Sequence, residues 1–139
     1  MSKHHIHITQ DSARPVAQLF AALSDHNKLN KVFMIPVRRI RDGQPDVNGV
    51  GSVRRMGPAP VGIEETVTAA QTDEFIEYRI TRNGGPVRNH RGRLEFSETP
   101  QGGSQVVWTI EFEAPLAPIG RALELGLSQA IRMGLKRIA

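Results

Sequence analysis

A chain of 139 residues with one composition regime throughout reads as a single domain over residues 1–139, long enough to hide about two-thirds of its unfolded surface. The absence of cysteine removes disulfide frameworks, thiol nucleophiles and cysteine zinc sites, and fits a reducing compartment. Eighteen basic against fourteen acidic residues, a net charge of +4, raise nucleic-acid binding as a possibility to be tested. The arginines, however, are scattered as Arg38-Arg39, Arg54-Arg55, Arg79, Arg88, Arg91 and Arg93 among Glu64, Glu65, Glu77, Glu95, Glu111 and Glu113. Alternating signs on neighbouring strands make cross-strand pairs rather than a phosphate-binding stripe, so no nucleic-acid partner is expected.

In chain order, Met1-Ser2-Lys3-His4-His5 has no apolar h-region, and no later run reaches membrane-spanning length. The expectation is a cytoplasmic protein with no membrane insertion. His5 to Thr9 alternates with period two and reads as a first strand, with Ile6 and Ile8 inward. Asp11-Ser12 and Pro15 then announce a helix over residues 13–24, whose buried face is Val16, Leu19, Phe20 and Leu23. Asp25 caps a second short helix that contains Leu29 and ends near Val32-Phe33.

From Pro36 onward strands and turns take over. Strands are predicted over residues 37–41, 51–56, 61–70, 75–82, 87–98 and 104–114, separated by turn chemistry such as Asn83-Gly84-Gly85-Pro86 and Pro100-Gln101-Gly102-Gly103. Hairpin spacing of this kind means an antiparallel sheet. In the last strand Val106, Trp108, Ile110 and Phe112 share one face, while Thr109, Glu111 and Glu113 share the other. The final segment, residues 118–138, is a long helix. Leu116, Ile119, Leu123, Leu127, Ile131, Leu135 and Ile138 recur every three or four residues, and the expected partner of that stripe is the Trp108 face of the sheet. About 20 helical residues span about 30 Å, enough to cross a small sheet. A second stripe, Gly126, Ala130 and Gly134, has two explanations: close approach of helix and sheet, or room left for a ligand. The two glycines cost about 2 kcal/mol relative to alanine, so one of these is needed.

The order strand, two helices, six strands, long helix gives an α+β class. With it, the segments Val16 to Asp25, Gly49-Val50-Gly51-Ser52-Val53-Arg54-Arg55, Glu64-Glu65-Thr66-Val67-Thr68, Glu77-Tyr78-Arg79-Ile80 and Gly102 to Trp108 carry a resemblance. Taken in order and spacing, they resemble the SRPBCC superfamily (START-like, helix-grip fold), in its polyketide cyclase/dehydrase and lipid transport branch, from about residue 3 to the end. The resemblance implies a curved antiparallel sheet of about seven strands wrapped around the C-terminal helix, with a cavity between them. It implies a hydrophobic small-molecule ligand such as a lipid or polyketide, no cofactor, and a monomer or homodimer. Some relatives are enzymes, others only bind or carry, and some act as protein-interaction modules; no catalytic motif is common to all. Relatives commonly carry a tryptophan after the second helix, where this chain reads Val32-Phe33-Met34; the resemblance implies an altered cavity entrance there, with Phe33 a candidate ligand contact.

Candidate site residues come from strand parity. His90 shares parity with Leu94 and Phe96 and is a candidate proton carrier or ligand contact, against a hydrogen-bonded wall histidine. Glu65 falls with Ile63 and Val67 on the core side, as a candidate general base, with Glu64 outward. An arginine of the preceding strand can pair with it, either structurally or to hold a ligand anion; Val53 argues for one register and Met56 for the other, and Arg55 is taken as the ligand-facing member. Tyr78 and Trp108 belong to the core or the cavity wall, and Gly126 and Ala130 are expected to touch a ligand opposite Tyr78 and His90. His4, His5 and His7 resemble a metal cluster, but an exposed terminal strand without an acidic ligand nearby is the better account, so no metal is expected.

Overall fold

The computed structural model describes all 139 residues. Strand β1 (Ser2–Ser12) is followed by helix α1 (Val16–Ser24), a single 3-10 turn (His26–Lys28) and the one-turn helix α2 (Asn30–Phe33). Six strands come next: β2 (Val37–Arg41), β3 (Val53–Met56), β4 (Ile63–Gln71), β5 (Phe75–Arg82), β6 (Arg88–Glu98) and β7 (Ser104–Ala114). Helix α3 (Ala117–Ile138) closes the chain. The strands form one antiparallel sheet in the order β1-β7-β6-β5-β4-β3-β2, so every hairpin is a nearest-neighbour pair and only β1 returns to the far side to pair with β7. This is the α+β helix-grip arrangement.

Alternation sets the register where one face is buried, because a one-residue slip would turn every apolar side chain to water. Ile6 lies opposite Ile110 and Ile8 opposite Trp108, and all four are buried. β1 runs three residues further at each end than its apolar pattern suggests, because its pairing with β7 continues through the polar residues Ser2 to His4 and Gln10 to Ser12. Helix α1 starts at Val16 rather than at residue 13: the Ser12 hydroxyl accepts from the Arg14 amide and holds a turn there, and Pro15 opens the helix. Asp25 caps the next segment, its carboxylate accepting from the Asn27 amide at 3.0 Å, but that segment breaks into a 3-10 turn before the four residues of α2. The left-handed Met34 (φ 58°) ends it.

The main core lies between α1, α2, the C-terminal half of α3 and the concave face of the sheet, and includes Leu19, Leu23, Leu29, Val32, Val106, Trp108, Ile131 and Leu135. The stripe of α3 does not seal the sheet along its whole length. Ile131 and Leu135 are fully buried, whereas Leu116, Ile119 and Leu123 are exposed. Close approaches anchor the helix toward its two ends. A Cβ on Gly120 would overlap the His4 ring of β1, and one on Gly134 would strike the backbone of Val32 in α2. A Cβ on Gly126, between them, would meet nothing within 4 Å. Close approach therefore accounts for Gly134, whereas Gly126 faces open space.

Candidate functional site

The open space under the middle of α3 is a cavity of about 490 Å³. Its wall is apolar except at one corner: Phe33, Met56, Ile80, Ile110, Phe112, Leu127, Ala130 and Ile131 are among its lining, together with Gly126, and Glu65, Tyr78 and His90 supply the polar groups. Ile35, Ile63 and Leu123 line it and are also exposed, so the cavity opens to solvent between α2, β4 and α3 instead of being enclosed.

The polar corner is built by four neighbouring strands. Glu65 lies opposite Arg54 across the β3–β4 ladder. Arg54 is the inward arginine, with Nε and Nη2 each 2.8 Å from Glu65 Oε1, both side chains almost wholly buried. The Arg54 guanidinium also lies 4.5 Å above the Tyr78 ring, a cation–π contact that uses its remaining face. Arg55 therefore points to the opposite side of the sheet, since successive side chains alternate, and it does not line the cavity. It sits half-buried with its stem over Gly62, and its buried Nε has no hydrogen-bond partner. The parity conflict has a physical source: Met56 belongs to the cavity face with Arg54, while Val53 is buried outside the main core cluster. A buried ion pair gives little net stability, but removing one member strands the other charge, at about 3–5 kcal/mol.

Tyr78 crosses the sheet toward β6, and Gly92 is what permits it: a Cβ there would overlap the phenol ring. The phenol oxygen accepts from Trp108 Nε1 at 2.9 Å. Burial first, and then the Glu65 charge, push the phenol's pKa up, so it stays neutral. Trp108 does not line the cavity. It stands one layer behind Tyr78, fully buried, with its ring edge-on to Phe33 at 6.0 Å. Its place in the apolar stripe of β7 indicates the face correctly, but depth within the core depends on what packs in front.

His90 lies where the β5–β6 ladder stops. Pairing ends at Tyr78 and Gly92, next to the left-handed Asn89 (φ 52°) and a register shift against β7. Beyond that point the imidazole replaces a strand: Nδ1 accepts the Ile80 amide at 3.0 Å. The proton of the neutral ring is thus on Nε2, which stands 4.0 Å from Glu65 Oε2. Burial lowers the His90 pKa, Glu65 opposes this, and Arg54 and Arg79 add to the lowering. The ring is held neutral beside a carboxylate already committed to an arginine.

Sequence parity misses His26. It is buried behind the corner, with Nε2 2.8 Å from the Ser52 hydroxyl and Nδ1 3.4 Å from Arg54 Nη1. The Ser52 hydroxyl donates to the Gly49 carbonyl at 2.6 Å, so it accepts from His26 Nε2–H, and Nδ1 is left to receive Arg54. Burial and the charges of Arg54 and Arg39 lower the His26 pKa to about 3. No periodicity marks a residue in a 3-10 turn; the one local hint is Asp25 as a cap immediately before it.

At the N-terminus, His5 and His7 are exposed, but His4 turns inward and does have an acidic partner. Its Nδ1 lies 2.8 Å from Glu124 Oε1, which also accepts the His5 amide at 3.1 Å. Glu124 thus ties α3 to β1, a contact between segments 120 residues apart in sequence. No group of three or more metal-ligating side chains is present, and no helix is long and apolar enough to cross a membrane.

Comparison with solved structures finds the same architecture in proteins of very different sequence. A protein from Thermobifida fusca solved by NMR is 19% identical, with a TM-score of 0.79 over 96% of this chain and 89% of its own. A protein from Nitrosospira multiformis is 14% identical, with a TM-score of 0.76 over 98% of this chain and 97% of its own. The crystal structure of Ara h 8.0201 is 18% identical, with a TM-score of 0.71 over 97% of this chain and 96% of its own. At such identities the likeness establishes the fold. No curated protein matches the sequence. The family model described as "Polyketide cyclase / dehydrase and lipid transport" matches residues 3–139, and the chain belongs to that family.

Proposed function

We propose that this protein binds a hydrophobic or aromatic small molecule, non-covalently, in the cavity between the sheet and α3. The observation that carries this reading is the cavity itself: about 490 Å³, apolar except at one corner, and open to solvent through an apolar mouth. Ligand sites of soluble proteins have this size and this balance of apolar wall and few polar groups. Family membership supports the same reading. Phe33, Tyr78, His90, Gly126 and Ala130 are the proposed contacts among the residues expected from sequence, and Glu65 joins them at the polar corner.

Gly126 provides the test. Its missing side chain opens onto the cavity, so Gly126→Leu would fill the space from a helix position that tolerates a side chain. Titration with the neutral fluorophore N-phenyl-1-naphthylamine should give saturable binding to the wild-type protein and little or none to a folded Gly126→Leu variant. Equal binding by the two proteins would defeat this reading.

A second reading, acid–base catalysis in the same cavity, is favoured by the convergence of Glu65 and His90 at 4.0 Å. Glu65 would take a proton through Oε2, and neutral His90 would donate one from Nε2. It requires turnover of a bound polyketide-like substrate that His90→Ala abolishes while binding is retained.

A further inference from the structure

The polar corner of the cavity is specific about the chemistry it can accept. Glu65 and His90 are each more than nine-tenths buried, and each presents one polar atom to the cavity with no protein hydrogen bond. Glu65 Oε1 is saturated by the two contacts from Arg54, which leaves Oε2 as a free acceptor. His90 Nδ1 is occupied by the Ile80 amide, which leaves Nε2–H as a free donor. These two atoms are 4.0 Å apart, too far for a direct hydrogen bond and close enough for one oxygen to reach both.

We infer that the corner recognises a single neutral hydroxyl group on an otherwise apolar ligand, an alcohol or phenol, and discriminates against carboxylates. This rests on the reading of the cavity as a ligand site. A hydroxyl oxygen between the two atoms accepts from His90 Nε2–H and donates to Glu65 Oε2, so both buried groups are satisfied by one ligand atom. A carbonyl or ether oxygen would accept from His90 but turn lone pairs toward the carboxylate. An ammonium group would satisfy Glu65 and leave the imidazole N–H without an acceptor. A carboxylate would meet Glu65 at close range, and the nearby cation offers no relief: Arg54 spends Nε and Nη2 on Glu65, its Nη1 faces His26 and its face lies on Tyr78. Unpaired buried polar groups are what make such a site selective, because a ligand lacking the matching group leaves them desolvated.

Three probes of one ring system separate this inference from the reading beneath it: 2-naphthol, 2-methylnaphthalene and 2-naphthoate, each titrated calorimetrically into the full-length protein at neutral pH. The expected order is 2-naphthol tightest, 2-methylnaphthalene about tenfold weaker, and 2-naphthoate weakest, since one charge-assisted hydrogen-bonded bridge is worth roughly a factor of ten. In His90→Leu the preference for 2-naphthol over 2-methylnaphthalene should shrink from about tenfold to a few-fold, because the hydroxyl loses the His90 donor and keeps only the Glu65 Oε2 acceptor; an undiminished preference would overturn the bridge. If 2-methylnaphthalene binds as tightly as 2-naphthol, or 2-naphthoate binds best, hydroxyl recognition is overturned while cavity binding stands. If none of the three binds, both fall. Should His90→Leu fail to fold, the wild-type series decides by itself.

Discussion

Helices α1 and α3 lay apolar faces over the same concave sheet, yet they do opposite things. In α1, Leu19 and Leu23 are buried to 1–2% exposure, and Phe20 meets Phe96 edge-on at 5.1 Å. In the N-terminal half of α3, Leu123 keeps 37% of its exposure and Gly126 faces open space. Both helices carry apolar residues at helical spacing, so the pattern marks a face that prefers to leave water and says nothing about whether the opposing surface arrives. Under α1 it arrives as packed side chains. Under the middle of α3 it does not: the helix is held close at Gly120 against His4 of β1 and at Gly134 against Val32 of α2, and between them nothing lies within 4 Å of a Cβ on Gly126.

The sharpest test of that contrast is truncation of equivalent leucines. Leu23→Ala should cost about 2–5 kcal/mol by urea denaturation, as deletion from a packed core does, whereas Leu123→Ala should cost under about 1 kcal/mol because its surroundings are already partly solvated. Equal losses would mean that the cavity is closed in solution.

The same stripe on α3 should give effects of opposite sign one step further along. Gly134→Ala drives a methyl into the Val32 backbone and should destabilise by about 1–3 kcal/mol. Gly126→Ala meets nothing within 4 Å and should stabilise by up to about 1 kcal/mol, the helix-propensity gain over glycine. Melting temperatures of the two variants check the pair. A loss at both positions would place the sheet closer to Gly126 than the open cavity allows.

The polar side is tested by pH. His26 is buried neutral, with its pKa lowered from 6.5 to about 3. Between those values the unfolded chain binds a proton that the folded chain refuses, so stability is full above pH 6.5 and falls as the pH drops through the window. The slope from this residue is at most about 1.4 kcal/mol per pH unit. The His90 pKa is lowered too, so it adds in the same direction. Denaturation midpoints of wild type and His26→Gln between about pH 7 and 4 isolate the His26 share; parallel curves would show that its ring can take a proton in place.

Much of the fold is legible in the chain alone. Turn chemistry and period-two alternation together locate the seven strands, alternation being clearest in β1, β6 and β7, and the helical stripe places α3 against the sheet. Parity also puts Glu65, Tyr78 and His90 on the inner face, where they meet at one corner of the cavity. Element ends are less legible: the apolar pattern under-reads β1 and over-reads the second helix, since the limits of a strand depend on its neighbour and a four-residue helix has barely one turn of pattern.

What the tertiary structure decided is depth and pairing. Periodicity assigns a residue to a face, but it carries no information about what stands opposite. Trp108 and Tyr78 both face inward, yet Tyr78 takes the cavity wall and Trp108 the layer behind, since Gly92 lets the phenol ring lie across β6. Arg54, not Arg55, reaches Glu65, because the ladder to β4 sets the register that two conflicting apolar neighbours leave open. His26 and the His4–Glu124 tie join residues 28 and 120 positions from their partners. Such contacts arise from chain topology and close packing, which act only once the sheet has curved and the helix has been laid across it.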